Sequence, residues 1–90
     1  MALLEEDEIR HRLARAKGWE LRGREITRTW SFADFEESMA FVNRVARLAE
    51  AMDHHPDIDI HYSKVTLTLT SHDAGGLTAR DFALAESIGV

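Results

Sequence analysis

The chain of 90 residues has no cysteine, so it can form no disulfide and offers neither a thiolate nucleophile nor a thiolate metal site. A reducing cytoplasm is therefore the expected location. No apolar run is long enough to span a bilayer, and the opening MALLEEDEIR is acidic where a secretion signal would be basic. A soluble protein with no membrane partner is expected. Positive charge is scarce: eleven Lys and Arg stand against sixteen Asp and Glu, for a formal charge of -5. The basic residues are scattered and form no stripe facing a phosphate backbone, so no direct nucleic-acid partner is expected. Repeats, low-complexity tracts and Pro- or Ser-rich linkers are also missing, and Pro56 is the single proline. At 44% hydrophobic and 30% charged, the composition predicts one globular domain over residues 1–90.

What is present is a clear order of elements. Ile9, Leu13 and Ala16 fall at helical spacing between Glu5 and Lys17, with Gly18 placed to end a helix in the left-handed region. Trp19 and Leu21, then Ile26, Arg28, Trp30 and Phe32, each keep one parity on either side of Gly23-Arg24, which predicts a hairpin. Asp34 caps a second helix with Glu37 as its reciprocal acid. Phe35, Met39, Val42, Val45, Ala49 and Met52, flanked by Phe41 and Leu48, form its apolar stripe. Pro56 excludes helical geometry at His55, so this helix should stop near Asp53. Ile58, Ile60 and Tyr62, then Val65, Leu67 and Leu69, predict a second hairpin turning at Ser63-Lys64. After the Ala74-Gly75-Gly76 loop, Thr78 and Asp81 make a capping box for a last helix bearing Phe82, Ala85 and Ile88. The expected fold is α+β in the order α-β-β-α-β-β-α: a four-stranded antiparallel sheet with helices packed on one face. Its free edges predict a homo-oligomer, at least a dimer.

Three of the five histidines are concentrated near the proline: the pair His54-His55, and His72 seventeen residues on from His55. Imidazole is the side chain suited to giving and taking protons near neutrality. The carboxyl end of the second helix supplies partial negative charge beside His54 and His55, and Pro56 stiffens their link. His72 continues the parity of Thr66, Thr68 and Thr70, away from Leu67 and Leu69, so it is not a core residue. A hairpin in register would bring His54-His55-Pro56 beside Ser71-His72-Asp73.

Simpler roles compete for each residue. A histidine pair in a loop can be plain surface polarity. Asp81 serves first as the acid of a capping box, and could also bond an imidazole nitrogen. Glu50, one helical turn before His54, could do the same or merely be solvated. His11 and His61 read as surface residues. Zinc or iron on two imidazoles and a carboxylate is disfavoured, because adjacent histidines seldom turn both rings to one ion and no helical metal-ligand spacing is present; no metal site is assigned. Neither Ser63 nor Ser71 lies in a nucleophile elbow.

The segment Glu50-Ala51-Met52-Asp53-His54-His55-Pro56, with Tyr62 before Lys64-Val65, then Ser71-His72-Asp73, Gly76-Leu77-Thr78 and Asp81, resembles the pterin-4a-carbinolamine dehydratase family. The likeness runs from about Glu5 to the end, taking in Gly18-Trp19 and Asp34-Phe35. Ile58 departs from it, standing where some members carry an aromatic.

This resemblance implies the same α+β fold, assembled as a homodimer or homotetramer, with a small-molecule pterin as partner and no cofactor. It implies a hydro-lyase that removes water from 4a-hydroxytetrahydropterin to give quinonoid dihydropterin. His54 and His72 would be the proton-transferring pair and His55 a binding and orienting residue. Pro56, Ser71, Asp73 and Ala74 would help cradle the pterin, with Asp81 and Glu50 in support. Some members of the family also act as dimerisation cofactors of a transcription factor, which implies an alternative role as a non-catalytic binding module using the Phe35–Met52 helix.

Overall fold

The computed structural model describes residues 2–89. Seven elements follow the expected order: α1 (Glu6–Arg15), β1 (Glu20–Arg22), β2 (Glu25–Ser31), α2 (Phe35–Met52), β3 (Asp57–His61), β4 (Lys64–Leu69) and α3 (Ala79–Ile88). The strands form one antiparallel sheet in the order β1-β2-β4-β3, so β4 is paired on both sides and β1 and β3 are the edges.

Helix α1 has acids Glu6, Asp7 and Glu8 in its first turn and Arg12 and Arg15 in its last, a distribution that complements the helix dipole. It stops two residues short of the expected Lys17, where Ala16 N–H folds back to the Leu13 carbonyl. Gly18 then takes φ +90 in the turn. A Cβ there would lie 2.7 Å from Arg28 Nε, because Arg28 passes beneath it to donate to the Lys17 and Gly89 carbonyls.

The alternation read in the strands sorts the sheet into two faces. Ile26, Trp30, Val65, Leu67 and Leu69 are buried on the face covered by the helices, each such side chain contributing about 1.5–3 kcal/mol by leaving water. Trp30 packs edge-on against Trp19 at 5.6 Å and against Phe41 of α2 at 4.7 Å. The opposite face carries a threonine ladder, with Thr29 and Thr66 hydroxyls 2.8 Å apart and Thr27 donating to the Leu67 carbonyl.

Asp34 caps α2 by accepting from Glu37 N–H at 2.9 Å, while the Glu37 carboxylate reaches past it to Ala33 N–H. Asp34→Ala should therefore cost about 1 kcal/mol, seen as a lower urea midpoint at unchanged slope. The buried stripe of α2 is Ser38, Phe41, Val42, Val45 and Ala49. Phe35 is not part of it: 49% exposed, its ring stacks on Tyr62 at the tip of the second hairpin. That tip is Tyr62-Ser63 instead of the expected Ser63-Lys64, because Lys64 is paired with both Ser31 and His61. Tyr62 takes the left-handed conformation at φ 51 to close it.

Candidate active site

The carboxyl end of α2 sets the first half of the site. His54 N–H bonds to the Ala49 carbonyl and Asp53 N–H to the Glu50 carbonyl, the paired bonds of a Schellman ending. The residue that must turn left-handed is Asp53, at φ 50 and ψ 45; aspartate is one of the few non-glycine residues that visit this region. Pro56 keeps the chain from resuming a helix, and β3 begins at Asp57.

The second hairpin supplies the other half. Pairing from His61 opposite Lys64 to Asp57 opposite Thr68 carries the residues before β3 alongside those after β4. Ser71 is held by a bridge to Gly76, and its carbonyl receives the N–H groups of Ala74, Gly75 and Gly76. This knot presents His72 and Asp73 at the exposed turn.

Helix α3 joins the two halves through Asp81, which is fully buried. One carboxylate oxygen lies 2.6 Å from His54 Nε2. The other accepts from the Ser71 hydroxyl and from Thr78 N–H, both at 2.9 Å. The Ser71 and Thr78 hydroxyls are themselves 2.8 Å apart. Asp81 is thus capping acid and imidazole partner at once; its two possible roles coexist because they use different oxygens. A buried carboxylate is tolerable only with such partners.

The acceptor carboxylate places the proton of the short bond on His54 Nε2. The other ring nitrogen, Nδ1, has no hydrogen-bond partner among the described residues. Among the described residues no fully buried side-chain nitrogen or oxygen lacks a partner, so Nδ1 is not fully enclosed. His54 is 8% exposed overall, so its ring is held in the protein with one nitrogen anchored on Asp81 and the other left without a partner among the described residues.

The remaining residues are more loosely placed. His55 is exposed, with Nε2 2.7 Å from Glu50; Glu50 therefore serves His55 and not His54. Pro56 and Ala74 are half-buried. Ala74 lines a cavity of about 480 Å³ with Leu3, Leu4, Arg24 and Leu77. Ser71 is only 1% exposed with its hydroxyl turned inward, so what it offers is the shape of the loop. His11 and His61 are exposed, the latter 3.3 Å from Asp59. Among the described residues no group of three or more His, Asp or Glu is placed to hold a metal ion, and no helix is long and apolar enough to cross a membrane.

Sequence reasoning misses two contributors. Thr78 reads along the chain only as a cap, yet its hydroxyl also meets Ser71. Arg80, at the second position of α3, donates to the main-chain carbonyls of Met52 and Asp53. A cation in a helix's first turn opposes the dipole, and that misfit is the one local sign that Arg80 has a partner elsewhere.

The chain as a whole has relatives among known proteins. A family model described as pterin 4 alpha carbinolamine dehydratase matches residues 2–89. A Chloroflexus aurantiacus protein named "Putative pterin-4-alpha-carbinolamine dehydratase" is 56% identical over 88 residues, covering 98% of this chain and 95% of that protein. An Acidobacterium capsulatum protein of the same name is 54% identical, covering 98% and 96%. Among solved structures, a transcriptional coactivator/pterin dehydratase from Brucella melitensis superposes with a TM-score of 0.89 at 36% identity, covering 94% of this chain and 93% of that one.

Proposed function

The chain belongs to the pterin 4 alpha carbinolamine dehydratase family, and from that premise we propose that it is a hydro-lyase removing water from a 4a-hydroxytetrahydropterin to give the quinonoid dihydropterin. The observation that carries this reading is His54, with Nε2 fixed on the buried Asp81 carboxylate at 2.6 Å and Nδ1 left to meet a ligand.

In the reaction the C4a–O bond breaks and a C4a=N5 double bond forms. The departing hydroxyl takes up one proton and leaves as water, while the proton on N5 is given up, so protons balance. In our assignment His54 Nδ1 accepts the N5 proton, and the imidazolium so formed is stabilised by Asp81. His72, exposed on the adjoining loop, donates to the hydroxyl. His55, steadied by Glu50, binds and orients near it. Strand-end amides and carbonyls around Pro56, Asp73 and Ala74 can read the donors and acceptors of a flat heterocycle. Positioned acid–base groups of this kind give about 10²–10⁴ in rate. The reaction needs no cofactor in this scheme, and the protein would work as a homodimer or homotetramer in the cytoplasm. Support for assembly is that edge strands β1 and β3 leave Leu21 and Ile58 exposed.

The direct test is a phenylalanine hydroxylase reaction, which releases the carbinolamine, followed by ultraviolet absorbance with and without the purified protein. The protein should accelerate decay of the carbinolamine signal in proportion to its concentration. A decay identical to the protein-free control would overturn the reading.

A protein-binding module is the second reading, favoured by the exposed, stacked Phe35–Tyr62 pair at the start of α2. Its mark would be no effect on the carbinolamine, together with saturable partner binding lost in Phe35→Ala and kept in His72→Ala.

A further inference from the structure

Arg80 sits in the first turn of α3, where the aligned backbone dipoles give the helix end partial positive charge. Its guanidinium escapes that unfavourable field by reaching the opposite pole of another helix: Nη2 donates to the Met52 carbonyl at 3.2 Å and to the Asp53 carbonyl. Both carbonyls belong to the Schellman ending of α2. They flank its left-handed residue, an aspartate at a position that favours glycine. The next two residues are His54 and His55.

The first turn of α3 therefore grips this segment twice. Asp81 takes the His54 ring, and Arg80 takes the main chain just before it. One hydrogen bond to an imidazole leaves the ring free to swing about that bond. Where Nδ1 points is settled only when the ring's Cα is fixed as well.

We propose that Arg80 is a positioning residue for the dehydration: by bridging the Met52 and Asp53 carbonyls it holds the left-handed turn closed and fixes the direction of His54 Nδ1 and of His55. The proposal rests on the dehydratase reading above. Arg80 acts through the backbone and transfers no proton.

The test compares Arg80→Gln and Arg80→Lys with the unaltered protein. In Arg80→Gln kcat should fall roughly 10- to 100-fold, the scale of a small misplacement of reacting groups, with KM changed less than about threefold, as for an interaction felt mainly in the transition state. Lysine retains the charge and N–H donors without the planar fork, so Arg80→Lys should recover part of kcat. The second readout needs no turnover: the downfield proton resonance of His54 Nε2–H, assigned by its loss in His54→Gln, should broaden or shift in Arg80→Gln and stay sharp in Arg80→Lys. An unchanged resonance in folded Arg80→Gln overturns the proposal, whatever happens to kcat. So does an unchanged kcat in an active enzyme. If Arg80→Gln fails to fold, Arg80→Lys decides alone: a kcat below that of the unaltered protein with a sharp His54 resonance at an altered shift supports the clamp, and either a wild-type kcat or a resonance at the wild-type position overturns it. Were the unaltered protein inactive on the carbinolamine, the dehydratase reading would fall while the resonance still reported whether Arg80 sets the turn.

Discussion

His72→Ala is expected to reduce kcat for carbinolamine dehydration by roughly 10²–10⁴-fold, the usual contribution of one positioned acid or base, while the protein folds as before. The side chain is exposed, and its ring has no hydrogen-bond partner among the described residues. The loop that carries it is built from main-chain bonds to Ser71 and from Gly75 at φ +83, none of which needs an imidazole. Loss of the ring should therefore change stability by no more than about 0.5 kcal/mol, or about 2–4 °C in Tm for a domain of this size. His61→Ala is the matched control, since His61 is equally a surface histidine and lies on the edge strand β3; its turnover should equal that of the unaltered protein. Wild-type kcat in His72→Ala would remove His72 from the mechanism.

Asp81 predicts a larger effect, and one that divides by substitution. Asp81→Ala removes the partner of His54 Nε2, of the Ser71 hydroxyl and of Thr78 N–H at once, all in a fully buried place. Leaving such groups unpaired costs on the order of 3–5 kcal/mol. Domains of this kind are stable by only about 5–15 kcal/mol, so Asp81→Ala should be marginally folded at best, with a sharply lowered urea midpoint. Asp81→Asn keeps shape and one carbonyl oxygen. That oxygen can still accept from Thr78 N–H and Ser71, and the loss should be about 1–2 kcal/mol. Its amide, however, donates to His54 Nε2 and so forces the ring's proton onto Nδ1. Nδ1 then has no lone pair for the N5 proton. A folded Asp81→Asn should thus lose on the order of 10²–10⁴ in kcat, as expected when a histidine base is locked in the wrong tautomer. If Asp81→Asn turns over at the wild-type rate, His54 is not the base.

Much of this could be read along the chain. The alternation of Ile26 and Trp30 against Thr27 and Thr29, and of Val65, Leu67 and Leu69 against Thr66 and Thr68, gives the two faces of the sheet directly, since side chains alternate with period two. The helix boundaries follow from Asp34, Thr78 and Pro56 by local steric and hydrogen-bonding rules that act over three or four residues. Where such local reasoning stops short, a distant contact is responsible. Phe35 continues the helical stripe of α2, yet its ring lies against Tyr62. Lys64 resembles a turn residue, yet β2 claims it for the sheet through Ser31.

Sequence alone determined which chemistry the chain carries: the histidines, the lone proline behind them, the capping acid of the last helix and the absence of thiols are all properties of residue type and short-range spacing. Tertiary structure alone decided how that chemistry is arranged. It sent Glu50 to His55 instead of His54, put both jobs of Asp81 on separate oxygens of one carboxylate, turned the Ser71 hydroxyl inward, and brought Arg80 across to the end of α2. Each of these depends on the distance and orientation between segments 5 to 28 residues apart. Hydrogen bonds fail over a fraction of an ångström or a few tens of degrees, and only the packing of α2 and α3 against the sheet fixes geometry that finely.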